Sequence, residues 1–272
     1  MIKTIVITGA TSGIGYEAAK VFAQKEHRVV LLARNSTLAS KIKNELSETT
    51  TAKVDVILCN LSSFDSIRSA ANEVLQKHPV VDVLVNNAGV WEMELKNSID
   101  GIEMNFAVNH LAPFLLTNLL LPALKRSKEA RIINTSSMAH RRNILDFEDI
   151  EFKKQPYNGV ATYSQSKLCN LLFTVQLQNV LKGTNITANT VHPGYVKTNL
   201  FNNMGTRDWE NVPAAADGAR STIYAALSPE LRGISGKYFY HEREDVCTEL
   251  AKDQASAQKL WDMSLHYVKD YL

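Results

Sequence analysis

Short runs of apolar, β-branched residues alternate with longer amphipathic stretches from residue 1 to about residue 195. This alternation is typical of βαβ units that build a parallel sheet. The runs predict strands over residues 3–8, 28–33, 53–59, 81–86, 131–136 and 186–192, with a seventh near 237–240. The amphipathic stretches predict helices near 13–25, 65–77, 100–127, 161–182, 214–227 and 248–268.

Most of the predicted strands are almost continuously apolar, which indicates that helices cover both faces of the sheet. No repeat, low-complexity tract or polar linker divides the 272 residues. We therefore expect a single doubly wound α/β domain with a parallel sheet of about seven strands.

Pro113 interrupts the longest predicted helix. Because proline removes a backbone hydrogen bond and often kinks a helix, we expect freed backbone groups just before it, at residues that include Asn109. The segments 138–160 and 197–213 lack clear periodicity. Loops of this length in compact domains are more often functional than accidental.

Composition narrows the classes of protein that the chain can belong to. The chain has 45% apolar and 21% charged residues, and its 30 basic and 28 acidic side chains are spread out, so we expect no nucleic-acid partner. Cys59, Cys169 and Cys247 are too widely spaced to indicate disulfides or a zinc site. No apolar run reaches 18 residues, so we expect no membrane span and a cytoplasmic protein.

The first predicted strand runs directly into the glycine-rich sequence TGATSGIG, residues 8–15, and a helical pattern follows. Glycines permit a tight turn and leave room for a pyrophosphate, which the N–H groups of the helix N-terminus can bind. The alternative is a glycine-rich turn needed only for packing. The context favours dinucleotide binding, with these candidate residues: Gly9, Ser12, Gly13, Ile14 and Gly15.

Arg34 and Asn35 follow the second predicted strand, where dinucleotide folds that prefer NAD usually carry an acidic residue for the ribose 2′-hydroxyl. A guanidinium pairs well with a 2′-phosphate. Arginine at a strand end can also be merely solvated. Since no acidic residue stands there, the sequence favours NADP(H).

Polar and small residues also follow the third and fourth predicted strands. Asn60 and Leu61 end one of them, and Asn87, Ala88 and Gly89 end the other. Both groups would lie at the carboxyl edge of the sheet, where open α/β folds bind ligands. We expect them to contact the cofactor, although a simple Asn-Gly turn is the alternative.

Tyr163 and Lys167 share one face at the start of an amphipathic helix. An ammonium beside a phenol favours the phenolate and lowers its pKa from about 10, so this spacing predicts an acid-base pair. Tyrosine and lysine also meet at this spacing by chance on helix surfaces. Ser136 and Ser137 end the fifth predicted strand, where a hydroxyl could reach the same cavity.

His110, His140 and His192 occur singly, without a second ligand at helical or turn spacing. We therefore interpret each as a structural histidine and predict no metal site.

The motifs TGATSGIG, NNAG, Asn109, TSS, YSQSK and HPG occur in that order. Together they resemble the short-chain dehydrogenase/reductase family over nearly the whole chain. The tail, which contains GARSTIYAALSPEL, ISGKYF and KLWDMS, is similar to the retinol dehydrogenase branch of that family.

The resemblance implies roles for the matching residues. Tyr163 would be the acid-base group, Lys167 would hold the nicotinamide ribose and tune Tyr163, and Ser137 would orient the substrate carbonyl. Asn109 would anchor a proton-relay water. The residues implied to seat the nicotinamide carboxamide are Pro193, Gly194, Val196 and Thr198. Asn60 departs from the family, which usually has aspartate near the adenine; a hydrogen bond stays possible but the charge is lost.

We therefore predict an NADP(H)-dependent oxidoreductase with a Rossmann fold, its cofactor half at about 1–130 and its catalytic and substrate-loop half at about 131–272. The reaction would be reversible hydride transfer between the nicotinamide and a small-molecule carbonyl or alcohol, such as a lipophilic aldehyde, ketone or retinoid-like compound. Two alternatives stay open: a non-catalytic NADPH-sensing protein, and a sugar-nucleotide epimerase or dehydratase of the same fold.

Two expectations concern the surface of the molecule. The loop 197–213 carries Phe201, Met204 and Trp209, which predicts a lid over an apolar substrate cavity; a surface loop with chance aromatics is the alternative. The resemblance also implies a homodimer or homotetramer that packs through the helices near 100–127 and 161–182.

Overall fold

A computed structural model describes residues 1–198, 200 and 212–272 of the chain. The strands are β1 (Thr4–Thr8), β2 (Arg28–Ala33), β3 (Val54–Leu58), β4 (Val83–Asn86), β5 (Ala130–Thr135), β6 (Ile186–His192), β7 (Tyr238–Tyr240) and β8 (Arg243–Glu244). The α-helices are α1 (Gly13–Gln24), α2 (Ser36–Thr49), α3 (Phe64–Lys77), α4 (Met104–Phe106), α5 (Ala112–Lys125), α6 (Gly159–Val180), α7 (Ala215–Leu227) and α8 (Gln254–Val268). Short 3₁₀ helices cover Met138–Arg142, Pro229–Leu231, Leu250–Lys252 and Lys269–Tyr271.

The strands form one sheet in the order β3-β2-β1-β4-β5-β6-β7-β8. Strands β1 to β7 are parallel, and β8 pairs antiparallel with β7. The predicted doubly wound domain with about seven parallel strands is therefore confirmed. The strand order reverses between β1 and β4, and open α/β sheets bind ligands in the crevice outside the strand ends at such a point.

Side chains of β1 alternate between two apolar layers, as the two-residue period of a strand requires. Val6 packs with the layer formed by α3, α5, α6 and α8. Ile5 and Ile7 pack with the layer formed by α1, α2 and α7. All three side chains are fully buried, so the sheet is covered on both faces and the strand ends are left as the accessible edge.

Helix α2 was not predicted from the sequence. Its 14 residues are mostly polar, and Ala39, Ile42 and Leu46 are the ones that it buries. Asn35 begins the helix as its N-cap, because the side-chain oxygen accepts the Leu38 N–H at 2.9 Å. A narrow apolar stripe of this kind gives a weak periodic signal.

The expected irregularity before Pro113 is present. A π turn spans Ala107–Leu111, between α4 and α5, and the Ala112 N–H donates to the Ala107 carbonyl. Such turns occur frequently at functional sites because they disturb the regular pairing of backbone groups. Asn109 lies within the turn.

The helical segment Met104–Lys125 is long and apolar enough to cross a membrane, with a mean hydropathy of 1.4. However, 78% of its most apolar window is buried inside the protein. This burial is what a core helix shows, and no other helix of the described residues passes the same test.

Candidate active site

A cavity of about 1050 Å³ opens at the carboxyl edge of the sheet. All but one of the predicted site residues line it. They are Gly9, Ser12, Gly13, Ile14, Gly15, Arg34, Asn35, Asn60, Leu61, Asn87, Ala88, Gly89, Ser137, Tyr163, Lys167, Pro193, Gly194, Val196 and Thr198. Asn109 is the exception. The topology thus brings residues from six different strand ends into one space.

The glycine-rich turn is too crowded for side chains. A Cβ on Gly9 would lie 2.9 Å from the Ala88 Cα, and one on Gly15 would lie 2.3 Å from the Gly9 carbonyl oxygen. Gly9 also has a φ of +68°, which favours glycine. Ser12 is the N-cap of α1 but its side chain makes no capping hydrogen bond, so the first N–H groups of α1 remain open to an anion.

Asn87 holds the end of β4 against this turn. Its Nδ2 donates to the Thr8 carbonyl at 3.0 Å, and the backbone N–H groups of Asn87 and Ala88 both donate to the Thr8 Oγ1 at 3.0 Å. The amide of Asn87 therefore fixes the shape of the turn. Thr8 is a supporting residue that sequence reasoning did not identify.

Arg34 lies exposed just after β2, at the rim of the cavity, and has no hydrogen bond or ion pair with the described residues. Asn35 uses its side-chain oxygen to cap α2. The Asn60 side-chain oxygen accepts from the Ser62 N–H at 3.2 Å and from the Ser62 hydroxyl at 2.9 Å. At this end of the cavity, Arg34 is thus a positively charged residue whose side chain has no hydrogen bond or ion pair within the described part of the chain.

Tyr163 and Lys167 project from α6 toward the ends of β4 and β5. The Lys167 Nζ lies 5.5 Å from the centre of the Tyr163 ring and donates to the Thr135 carbonyl at 3.4 Å. A Cβ on Gly89 would lie 3.2 Å from that Nζ, so glycine at 89 leaves the ammonium room. Both side chains are almost completely buried.

The two serines after β5 have different surroundings. The Ser136 hydroxyl donates to the Lys167 backbone carbonyl at 2.7 Å and is buried. The Ser137 hydroxyl accepts the Ala139 N–H at 3.2 Å and lies close enough to the Tyr163 phenol to lower its pKa. The second serine, which the family motif indicated, is therefore the one that contacts the phenol.

The pKa of Tyr163 is raised rather than lowered as the sequence predicted. Burial raises the pKa of Tyr163 to about 12, although the bond to Ser137 acts in the opposite direction. Burial also lowers the pKa of Lys167 to about 8. Desolvation is the main cause for both groups, because each charged form loses its contact with water.

Asn109 is buried and does not line the cavity. Its Nδ2 donates to the Val90 carbonyl and to the Ser166 hydroxyl, each at 2.9 Å, and its Oδ1 accepts the Val90 N–H at 2.8 Å. The side-chain amide of Asn109 is therefore already hydrogen-bonded to other residues of the protein. Its backbone in the π turn is the part of Asn109 that could hold a water.

Each of the three histidines has a hydrogen-bond partner within the protein, and His192 also lines the cavity. The His110 Nε2 bonds to the Ser264 hydroxyl at 2.8 Å, and the His140 Nδ1 bonds to the Ser137 carbonyl at 2.6 Å. The Gly194 N–H donates to the His192 Nδ1 at 3.3 Å. Within residues 1–198, 200 and 212–272, no three His, Cys, Asp or Glu side chains come together in a way that could hold a metal ion.

Residues 3–209 match the family model described as short chain dehydrogenase. The chain belongs to the short-chain dehydrogenase family. This dehydrogenase is 39% identical to retinol dehydrogenase 14 of Mus musculus, over 96% of its own length and 84% of that protein. It is also 39% identical to the chloroplastic short-chain dehydrogenase TIC 32 B of Brassica napus, over 97% of its own length and 88% of that protein.

Among solved structures, the dehydrogenase resembles an uncharacterized protein from Mycobacterium Paratuberculosis, with a TM-score of 0.81 and 34% identity. The similarity covers 98% of this chain and 93% of that one. The retinol dehydrogenase-like branch indicated by the tail is confirmed. The chain is accordingly an oxidoreductase of a family that uses a nicotinamide cofactor and acts on small molecules.

Trp91 is a site residue that sequence reasoning missed. Its indole lies parallel to the Tyr163 ring, with the ring centres 4.1 Å apart and the planes 6° apart. Its position directly after the NNAGV sequence was a possible signal, but a contact across 72 positions cannot be read from one sequence. Apolar side chains continue along the cavity of the dehydrogenase, namely Val90, Met104, Val108, Met138 and Leu200.

The predicted lid residues Phe201, Met204 and Trp209 lie outside the described residues. The flanking Lys197 N–H donates to the Pro213 carbonyl at 3.0 Å. The two ends of the predicted lid are therefore close together beside the cavity.

Proposed function

We propose that this dehydrogenase uses NADP(H) to interconvert a lipophilic aldehyde or ketone, including retinoid-like compounds, with the corresponding alcohol. One observation carries the proposal: Ser137, Tyr163 and Lys167 share a cavity with the glycine-rich turn and Arg34. The apolar side chains along that cavity support a lipophilic substrate. The similarity to retinol dehydrogenase 14 supports the same substrate class.

The residues present fit a dinucleotide. Gly9 and Gly15 allow the turn to pack tightly against the end of β4, and the open N–H groups of α1 would bind a pyrophosphate. Arg34 supports NADP(H) over NAD(H), because its exposed guanidinium, which has no partner among the described residues, can pair with a 2′-phosphate and no carboxylate occupies its position. When bound, the nicotinamide exchanges a hydride with the substrate carbon.

The residues around Tyr163 account for the proton. The Tyr163 hydroxyl would donate a proton to the carbonyl oxygen in reduction and accept one in oxidation. The Ser137 hydroxyl, which lies beside that phenol in the same cavity, would hold the substrate oxygen next to it. With its phenol pKa raised to about 12, Tyr163 is fully protonated at neutral pH and is therefore ready to act as the acid.

Lys167 and Asn109 would complete the path by which the proton is transferred. The Lys167 ammonium lies beside Tyr163 and would bond to the ribose of the cofactor as well as stabilise the phenolate when it forms. The amide of Asn109 is committed to Val90 and Ser166. Its proposed water would therefore bind to its backbone carbonyl in the π turn.

The test is cofactor consumption with NADPH and with NADH across a panel of aldehydes, ketones and quinones, and with the alcohols in reverse. We expect turnover with a lipophilic carbonyl and at least a tenfold tighter binding of NADPH than of NADH, about 1.4 kcal/mol. Arg34→Asp should remove that preference. Arg243→Asp changes the same charge on the exposed strand β8, outside the cavity, and should preserve it.

The outcomes separate the proposal from its alternatives. Binding of NADPH without turnover on any carbonyl would favour a sensor. Equal affinities for NADPH and NADH in the unmutated protein would refute the cofactor assignment.

A further inference from the structure

The indole of Trp91 covers one face of the Tyr163 ring. The ring centres are 4.1 Å apart, the planes differ by 6°, and both side chains line the cavity. Such a stack contributes beyond the buried area of the two rings. The Tyr163 ring lies between the indole and helix α6 and therefore has little freedom to rotate.

A hydrogen bond anchors the indole to the helix that carries Tyr163. The Trp91 Nε1–H donates to the Gly159 carbonyl at 3.0 Å. Gly159 is the first residue of α6 and lies four residues before Tyr163, so in a regular helix the same carbonyl faces the Tyr163 backbone N–H. The indole and the phenol are thus fixed to one helical turn.

The backbone around Trp91 is held on both sides. The side chain of Asn109 forms hydrogen bonds with both the backbone N–H and the backbone carbonyl of Val90. Asn105 does the same to Glu92: its Oδ1 accepts the Glu92 N–H at 2.9 Å, and its Nδ2 donates to the Glu92 carbonyl at 3.1 Å. Two fully buried asparagines from one helical segment therefore fix the residues that flank the indole.

Because Gly159 has no side chain, the segment 90–93 packs directly against the start of α6. A Cβ at this position would lie 2.4 Å from the Glu92 carbonyl oxygen and 2.5 Å from the Met93 Cα. The close approach brings the indole within stacking distance of Tyr163. A change at Gly159 would therefore displace Trp91 without altering the indole itself.

We propose that Trp91 is a positioning residue for Tyr163 and also restricts the group that lies beside the reacting carbonyl. The inference rests on the proposed function. A carbonyl carbon carries two substituents, and the indole occupies space on one side of the phenol. The substituent on that side must be small, as the hydrogen of an aldehyde is. Trp91 thus favours aldehydes over ketones of similar length.

The test compares kcat and KM for a matched pair, a long-chain aldehyde and the methyl ketone of equal chain length, with NADPH. Trp91→Leu removes the stack and should lower kcat on the aldehyde roughly tenfold, since misplaced catalytic groups lose rate rather than cofactor affinity. The ratio of kcat/KM for aldehyde over ketone should fall by at least as much. Trp91→Phe keeps a stacked ring and should restore most of kcat.

Two further variants control for structural damage. Gly159→Ala should shift the ratio in the same direction as Trp91→Leu, because it displaces the segment 90–93. Trp261→Leu removes an equal side chain that contacts Phe114 edge-on in the core, with ring centres 4.9 Å apart. It should lower the melting temperature but leave the aldehyde-to-ketone ratio unchanged.

An unchanged ratio in Trp91→Leu would overturn the inference while leaving the proposed function intact. An equal shift in Trp261→Leu would also overturn it. Absence of turnover in the unmutated protein would refute the proposed function and the role of Trp91 together.

Discussion

Gly15→Ala is the change that most sharply tests the glycine-rich turn as the seat of a dinucleotide. The new methyl group would lie 2.3 Å from the Gly9 carbonyl oxygen and 2.5 Å from the Asn87 Nδ2, inside the 3.0 Å that real Cβ atoms keep. Neither neighbour is the end of a flexible side chain in open space, because the Asn87 amide is bonded to Thr8. The turn itself must therefore move.

The displacement of the turn should have two effects that can be measured separately, one on stability and one on NADPH affinity. Overpacking of this kind typically lowers the free energy of unfolding by about 1–3 kcal/mol. The displaced turn would also lose contacts between the open N–H groups of α1 and the pyrophosphate. Each charge-assisted hydrogen bond contributes roughly 1.5–3 kcal/mol. The loss of one such bond weakens NADPH binding by at least about tenfold.

Titration calorimetry with NADPH and urea unfolding, run on the same samples, measure the two effects. Gly183→Ala is the matched control, because Gly183 has a φ of +82° but no atom within 4 Å of a new Cβ. This control should lose stability through backbone strain and keep its affinity for NADPH. If Gly15→Ala binds NADPH as tightly as the unmutated protein, the turn is needed only for packing.

Two further predictions concern single side chains. Ser137→Ala should lower kcat at least about tenfold, because it removes the hydroxyl beside the phenol, and should also lower the free energy of unfolding by about 1 kcal/mol through its lost bond to the Ala139 N–H. Ser136→Ala should lower the free energy of unfolding by a similar amount through its lost bond to Lys167 but should reduce kcat less than Ser137→Ala does, and the reverse order in kcat would contradict this assignment. Burial lowers the pKa of His110 from 6.5 to about 3, so the unfolded chain gains a proton that the folded protein resists, and stability falls as the pH drops below 6.5. This histidine should account for about 2 kcal/mol of the free energy of unfolding that is lost between pH 7 and pH 5. Urea unfolding of His110→Gln at both pH values should show a loss smaller by that amount. A loss equal to that of the unmutated protein would refute the attribution to His110.

The sheet was predictable because most of its strands are almost continuously apolar and are followed by glycine or polar residues that begin a turn. Helix α2 was not, since three buried side chains among 14 residues give little periodic signal. Strand β8 was also missed, because two exposed residues carry no pattern. In both cases the element depends on tertiary contacts more than on its own sequence.

Motif order located the cavity residues but could not reveal how their side chains are used. The spacing of Tyr163 and Lys167 indicates proximity and says nothing of burial, so the direction of the Tyr163 pKa was misjudged. The commitment of the Asn109 amide to Val90, and the stack of Trp91 on Tyr163, join residues that only the fold brings together.

The central claim, that Tyr163 transfers the proton, is tested most directly by Tyr163→Phe. This variant removes one oxygen and keeps the ring that stacks on Trp91. Turnover on the best carbonyl substrate should fall by about 10² to 10⁴, the range expected of general acid-base catalysis, while NADPH affinity by calorimetry stays within about twofold. A Tyr163→Phe protein that binds NADPH normally and keeps half of the original rate would show that the proton comes from another group.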